Sequence, residues 1–173
     1  MWSSSLPASL RYNREVRKNQ QLAFTLVEVV IGAAIIAGSM IGIMGVFFRL
    51  SRVAEENIRL TKASYLLEEG MEAVRIMRDS SWANLASLTP GTDYYFSWTG
   101  LTWATSSTSV LVDGLYERKF NLAEVERGNG GEIVASGGTV DPATKLLTVE
   151  VAWSTRGATT TRSLAAYLTN LFE

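Results

Sequence analysis

The feature that most constrains the fold is the uncharged run of twenty residues from Val29 to Phe48, which is rich in Ile, Val, Met, Ala and Gly. As a helix, this run is about 30 Å long, which matches the hydrocarbon thickness of a bilayer. A helix in the core of a soluble domain keeps a polar stripe, whereas this run is apolar around its whole circumference. A cleaved secretory signal has a shorter apolar core that ends at a small-residue cleavage site. The run therefore predicts a transmembrane helix.

Length and composition limit what the rest of the chain can do. The chain has 173 residues, enough for one domain and an anchor segment. It contains no cysteine and no histidine, which excludes disulfides and thiolate sites and removes the commonest general base and the commonest metal ligand. Carboxylate and lysine mechanisms remain open, but no such pattern stands out. We therefore expect a protein that is not an enzyme, with no catalytic residue, no metal and no cofactor.

Charge is unevenly distributed, although the formal net charge is only −1. Residues 1–23 hold four basic side chains and one acidic side chain, a net +3, and the remainder holds twelve basic and sixteen acidic side chains, a net −4. A mildly acidic body offers no basic patch for phosphates, so direct binding of nucleic acid is not expected. Basic residues flank the uncharged run on both sides, and the positive-inside rule alone does not fix its orientation.

The junction before the uncharged run contains one carboxylate where the chain turns apolar. The basic leader ends at Ala23, and the sequence continues Phe24-Thr25-Leu26-Val27-Glu28. An ionisable group at the mouth of a membrane span is costly and calls for a partner. Thr25 and Glu28 also have the Thr-x-x-Glu spacing of a capping box, and an acid in the first turn suits the helix dipole. Taken without the flanking residues, a plain helix start explains Glu28 equally well.

The wider junction resembles the processing site of type IV prepilins and pseudopilins, in which a small residue is followed by Phe-Thr-Leu-x-Glu and a long apolar helix. The resemblance implies cleavage between Ala23 and Phe24 by a prepilin peptidase on the cytoplasmic side, followed by N-methylation of Phe24. It also implies that residues 1–23 are a cleaved leader that stays in the cytoplasm. The family has glycine before the cut and this chain has Ala23, so slower cleavage is expected.

The same resemblance implies an assembly role for Glu28, supported by Thr25 and Leu26. In such filaments this carboxylate is the counter-charge for the amine of a neighbouring subunit, and burial makes an unpaired charge expensive. The partners implied are other pilin subunits, the prepilin peptidase and methyltransferase, an inner-membrane pilus assembly platform and membrane lipid.

Beyond Leu50 the pattern becomes amphipathic and then alternates. Apolar residues at intervals of three and four predict that the helix continues to about Arg78, for a total of about 80 Å from Phe24; these residues are Leu60, Ala63, Leu67, Met71, Val74 and Met77. Alternation and turn signals then predict antiparallel strands around residues 94–103, 147–153 and 161–171. We expect an α+β fold, with a long N-terminal helix packed on an antiparallel sheet, as in pilins.

Three further patterns have competing explanations. The aromatic residues of the first hairpin, Tyr94 to Trp103, favour a hairpin core over a stacking platform for sugars or bases. The segment from Asp141 to Lys145 offers too few oxygen ligands for calcium and predicts a hairpin turn instead. The acids Glu68, Glu69 and Glu72 are expected to be solvated or paired with Arg75.

The combined expectation is a structural subunit. Residues 1–23 form the cleaved leader, 24–50 the transmembrane and assembly helix, and 51–173 an exported pilin-like domain. The chain would sit in the cytoplasmic (inner) membrane as a single-pass protein and then enter a type IV pilus-like filament as a minor pilin or pseudopilin. Two alternatives stay open. One is a pseudopilin of type II secretion or a competence pilin, and the other is a signal-anchored exported binding protein that never polymerises.

Overall fold

The computed structural model describes residues 8–155 and 157–171, with side chains from Leu26 onward. The chain divides into two compact units, Met1–Glu56 and Asn57–Glu173, which are treated separately. The helices are α1 (Ala8–Ser80) and the short α2 (Ala83–Ala86). The strands are β1 (Tyr94–Trp98), β2 (Trp103–Ser106), β3 (Leu111–Val112), β4 (Tyr116–Arg127), β5 (Ile133–Val134), β6 (Thr139–Thr155) and β7 (Ala158–Thr169).

The helix α1 ends where the sequence predicts but begins earlier. Its end at Ser80 is two residues beyond the predicted Arg78, whereas its start at Ala8 precedes the predicted Phe24. Residues 8–23 contain no glycine or proline and are rich in Leu, Arg, Gln and Lys, all good helix formers. Pro7 directly precedes the first helical residue in the sequence, a position typical of helix starts.

The second unit is built on one antiparallel sheet, which confirms the predicted α+β fold. The strand order is β2-β1-β4-β6-β7, and β3 and β5 also pair with β4. The longest pairings join β4 to β6, beginning at Tyr116 opposite Trp153, and β6 to β7, ending at Thr155 opposite Ala158. The predicted last strand is therefore confirmed, and β4 lies at the centre of the sheet.

The core lies between one face of α1 and the inner face of this sheet. All six predicted helix positions contribute to it, with Leu60 partly buried and the other five buried. Alternate residues of β4 and β6 face the helix, which is why their apolar side chains recur with a period of two. The buried sheet residues include Phe96, Tyr116, Phe120, Leu122, Leu147, Val149, Val151, Trp153 and Leu168.

The predicted hairpin turn at Asp141–Lys145 is wrong, because this segment belongs to β6. Glu124 pairs with Lys145 and Glu126 with Val140, so four residues of β6 face the single residue Val125. This is a β-bulge, where the ladder of hydrogen bonds is already interrupted. Pro142, which has no amide hydrogen to donate, is therefore tolerated at this place in the strand. Turn-forming residues mark bulges as well as hairpin ends, and the sequence pattern did not separate the two.

The first hairpin is confirmed, but two of its aromatic residues, Tyr95 and Trp98, do not belong to the core. Phe96 is buried, and Tyr94 and Trp103 pack against the core, but 56% of Trp98 is exposed. The reason is the short strand β3. It occupies the position beside β4 beyond Lys119, the last partner of β1, so the end of β1 separates from β4 and pairs only with β2.

Candidate membrane and assembly segment

The residues from Leu26 to Leu50 of α1 expose their large apolar side chains all around the helix. Exposed fractions range from 55% to 75%, as in Ile31 and Ile41. The segment Leu26–Ser80 is the one helix in the described part of the chain that is long and apolar enough to cross a membrane. Its most apolar window has a mean hydropathy of 2.3, and none of that window is buried.

This exposure determines what must surround the segment. Leaving one large aliphatic or aromatic side chain in water instead of an apolar environment costs about 1.5–3 kcal/mol. The exposed side chains include Val29, Ile35, Met40, Ile43 and Phe47. Lipid or a protein partner is therefore needed to cover the segment, since the residues that the structure describes do not.

Glu28 is exposed within this apolar surface. One turn further along the helix, its neighbours are Ile31 and Gly32, which carry no charge. Among the ion pairs between described side chains, none includes Glu28. A carboxylate in hydrocarbon requires a partner, and the described part of this chain supplies none.

The other predicted site residues are described only in part. The side chains of Ala23, Phe24 and Thr25 lie outside the described residues, so the predicted cleavage position and capping contact have no geometry to report. Leu26 is the first described side chain, and 67% of it is exposed. It belongs to the same apolar surface as the residues after it.

A shallow groove lies on this surface beside Gly42. Its volume is about 530 Å³, and it is lined by Ser39, Gly42, Ile43, Val46, Phe47 and Leu50. A Cβ atom added at Gly42 would meet nothing within 4 Å. Small residues on membrane helices allow neighbouring helices to approach closely.

In the second unit, the acids on α1 pair differently from the prediction. Glu72 pairs with Arg75 at 3.4 Å, as expected, but Glu69 Oε2 lies 2.9 Å from Arg118 Nη1. Only 6% of Arg118 is exposed on the inner face of β4, and its guanidinium lies 4.7 Å from the ring centroid of Phe96. The signal available in the sequence was its position in the inward series Tyr116, Arg118, Phe120 and Leu122.

A polar cavity of about 480 Å³ lies between the end of α1 and the β1–β2 hairpin. Its polar lining consists of hydroxyls, the amide of Asn84 and the indole of Trp103, without a carboxylate, lysine or arginine. The Asn84 amide already donates to the backbone oxygen of Met77 at 3.0 Å. Within the described residues, no three metal-binding side chains are grouped. The cavity therefore offers a hydrogen-bonding wall but no acid–base pair.

Ion pairs on the outer face of the sheet shift several ionisation equilibria. Lys119 Nζ donates to Asp93 Oδ2 at 2.7 Å, which lowers the pKa of Asp93 and raises the pKa of Lys119. Arg127 Nε donates to Asp141 Oδ2 at 2.6 Å, and this bond, helped by Thr144, lowers the pKa of Asp141. These contacts stabilise strand pairing and the bulge.

Comparison with protein-family models, with curated proteins and with solved structures finds no match for this chain. The helix segment from Leu26 to Leu50 combines an exposed apolar surface, a shallow groove beside Gly42 and one acid, Glu28. We treat this segment as the candidate functional site.

Proposed function

We propose that the chain is a prepilin-like structural subunit, processed between Ala23 and Phe24 and assembled into a type IV pilus-like filament through its N-terminal helix. The observation that carries the proposal is the uncovered apolar helix with Glu28 near its start. In a monomer this surface must lie in lipid. In a filament, the same surfaces of neighbouring subunits replace the lipid.

Glu28 supports assembly over a plain membrane anchor. A helix that only anchors a domain needs no carboxylate within its apolar surface, because the acid raises the cost of insertion. Cleavage after Ala23 creates a positively charged amine on Phe24, four residues before Glu28. In a stack of helices, this amine from one subunit can pair with Glu28 of the next. An unpaired charge between packed helices is costly, so the pairing selects one axial register.

The N-terminal mass of the membrane-extracted protein tests the processing step. With an active prepilin peptidase, we expect a chain that lacks residues 1–23 and carries a methyl group on Phe24. Without the peptidase, the full-length mass should remain. An unshortened chain under both conditions would refute processing at Ala23, and Ala23→Gly provides a control that should be cleaved at least as fast.

Assembly is tested with Glu28→Ala and its matched control Glu68→Ala. Both positions are exposed acids on α1, but Glu68 lies in the second unit. We expect Glu28→Ala to insert into membranes normally and to be lost from sheared filaments, whereas Glu68→Ala should be recovered like the unmodified chain. Equal recovery of both variants would remove the assembly role of Glu28.

The alternatives give different results in these experiments. A subunit of a secretion or DNA-uptake machine would be processed in the same way, and its deletion would impair secretion or transformation while leaving surface filaments intact. A non-polymerising anchored protein would be absent from sheared filaments, with or without Glu28.

A further inference from the structure

The polar cavity at the end of α1 borders one edge of the sheet. The strand order makes β2 the edge strand on this side, and each of its paired residues has its partner in β1. The cavity is lined by the consecutive residues Thr102, Trp103, Ala104 and Thr105. Successive side chains of a strand point to opposite faces of a sheet. A cavity lined by an unbroken run of residues therefore follows the edge of β2 and not only one face.

The hydrogen bonds of the hairpin determine which backbone groups of β2 point to that edge. The Thr99 amide donates to the Thr102 carbonyl at 3.0 Å, so these two residues form a hydrogen-bonded pair. In an antiparallel ladder, such pairs alternate with pairs whose N–H and C=O groups point away from the partner strand. Trp103, which follows Thr102, therefore directs its N–H and C=O groups away from β1, and Thr105 does the same two positions later.

These outward groups have few partners in the described part of the chain. Among its backbone hydrogen bonds outside helices and strands, none involves Trp103 or Thr105. The hydroxyl of Thr102 donates to the Trp103 carbonyl, but at a long 3.4 Å. The strand also contains no charged residue and no proline, both of which keep edge strands from pairing with other chains. The edge of β2 is therefore chemically ready to accept another strand.

The opposite wall of the cavity belongs to the same unit. It consists of Met77 and Ser80 at the end of α1, and of Asn84, Ser87 and Leu88 in and after α2. The Asn84 amide donates to the Met77 carbonyl at 3.0 Å, which joins the two helices at this wall. A volume of about 480 Å³ lies within the range of natural ligand sites. The edge of β2 therefore forms one side of a bounded slot.

We propose that this slot binds an extended peptide segment of another protein, which adds to β2 as a further strand. In this mode of recognition, main-chain hydrogen bonds give affinity and the walls of the site select side chains. The four residues of β2 span about 13 Å and pair with about four residues of the peptide. The inference concerns the second unit alone and does not depend on the proposed function.

The lining of the slot sets the chemistry of the peptide. No charged side chain lines it, so an ion entering it would lose water without gaining a partner. The paired residues of the peptide are therefore uncharged. Met77, Leu88 and the ring of Trp103 offer an apolar contact to one of its side chains.

The spacing of the outward groups favours a peptide over a sugar. Hydroxyl groups and an exposed tryptophan, Trp98, are also features that a sugar could use. The N–H groups of Trp103 and Thr105, however, recur at the two-residue period of a strand, about 6.6 Å. A second strand supplies C=O groups at the same period, and a sugar ring does not.

Amide hydrogen exchange tests the added strand residue by residue. The full chain in dodecylphosphocholine micelles is titrated with acetyl-Ser-Leu-Thr-Val-Ser-amide until the amide chemical shifts no longer change. We expect exchange at Trp103 and Thr105 to slow about tenfold or more. Exchange at Ala104, whose amide already faces Ser97 of β1, should change little. Unchanged shifts and exchange at Trp103 and Thr105 would overturn the proposal.

A matched pair of variants blocks the edge without disturbing the hairpin. Thr105→Pro removes one outward N–H group, and a strand tolerates proline where this group faces away from its ladder. Thr105→Val keeps the N–H group. We expect Thr105→Pro to weaken peptide binding about tenfold and Thr105→Val to bind like the unmodified chain. Because Thr105→Pro could disturb folding, the same peptide with N-methyl groups on alternate amides provides a second test, and it should not bind.

Three other outcomes would assign the edge differently. Equal slowing at the other edge strand, β7, would show unselective strand addition and overturn the site. A response to maltopentaose but not to the peptide would assign the slot to a sugar. Protection at Trp103 and Thr105 that appears without peptide as the protein concentration rises would assign the edge to a second copy of this chain.

Discussion

Two regions of α1 contain similar apolar residues, but the surroundings of these residues differ. From Leu26 to Leu50 these side chains are exposed on every side of the helix, whereas from Asn57 to Ser80 one face is buried against the sheet. The difference lies in the pattern, since the first region is apolar at every angle and the second only at intervals of three and four. An apolar stripe finds its cover within the chain, but a complete apolar surface needs lipid or another chain.

The two regions also differ in the ion pairing of their acidic residues. Glu69 of the packed region has its partner, Arg118, in the same chain, 2.9 Å away. Glu28 of the exposed region has no ion pair among described side chains. The ion pair with Arg118 ties Glu69 to the folding of the second unit, whereas the proposed function assigns the pairing of Glu28 to a second chain. Substitutions in one region should therefore change unfolding, and matched substitutions in the other should not.

The largest contrast is expected between two phenylalanines. Phe120 is completely buried, and Phe120→Ala should lower the free energy of unfolding by about 3–5 kcal/mol because it leaves a cavity in the core. Phe47 is 61% exposed, and Phe47→Ala should change unfolding of the second unit by less than about 0.5 kcal/mol. Urea unfolding of the full chain in detergent, followed by tryptophan fluorescence, measures both. Equal losses would show that the two regions unfold as one.

The buried ion pair should give the next largest effect. Glu69→Ala leaves Arg118 without its carboxylate, and we expect a loss of about 2 kcal/mol, less than for a fully buried pair because half of Glu69 faces water. Arg118→Met removes the buried charge itself and should change stability by less than about 1 kcal/mol. The exposed neighbour variant Glu68→Ala serves as the control. A larger loss for Arg118→Met than for Glu69→Ala would mean that the guanidinium contacts outweigh its desolvation.

Two glycines sharpen the comparison further. A Cβ atom at Gly70 would lie 2.8 Å from Cγ1 of Val149, whereas one at Gly42 would meet nothing. Gly70→Ala gains about 1 kcal/mol of helix propensity but overpacks the core by about 1–3 kcal/mol, for a net loss of about 1 kcal/mol. Gly42→Ala should leave the unfolding of the second unit unchanged.

A double variant tests whether the contact with Val149 causes the Gly70 effect. In a Val149→Ala background, the clashing methyl group is absent, and Gly70→Ala should become neutral or stabilising. The coupling appears as non-additivity in the same urea titrations. Additive losses would assign the Gly70 effect to another neighbour.

Strong periodicity made part of the fold predictable from the sequence. The buried face of α1, from Leu60 to Met77, and the last strand needed only the spacing of apolar residues. The central strand β4 escaped prediction because charged residues surround its inward positions and Arg118 occupies one of them. The bulge at Asp141 was not predicted because Pro142 is typical of a turn, and the sequence alone does not show the neighbouring strand.

The candidate functional site is also predictable only in part from the sequence. The exposed apolar surface from Leu26 to Leu50 is predictable from composition, since a helix that is apolar at every angle has no polar face to turn towards water. A partner for Glu28 in a second chain is not predictable from composition. An acid that pairs between chains has the same local sequence as an acid that caps a helix.

The smallest expected effect is on the pH dependence of unfolding in acid, and it involves residues of the sheet only. Arg127 lowers the pKa of Asp141, so the folded chain binds protons at this carboxyl less readily than the unfolded chain does. The resulting stabilisation is present above about pH 4, the ordinary carboxyl range, and is lost as pH falls through the lowered pKa of Asp141. We therefore expect Asp141→Asn to weaken the acid dependence of unfolding below about pH 4 and to leave its slope near neutral pH unchanged. Arg127→Gln should have the same effect, and combining the two should add little more, as acid titrations of unfolding at low salt can measure. If the double variant lost the sum of both single effects, the pair would not be the source of the lowered pKa of Asp141.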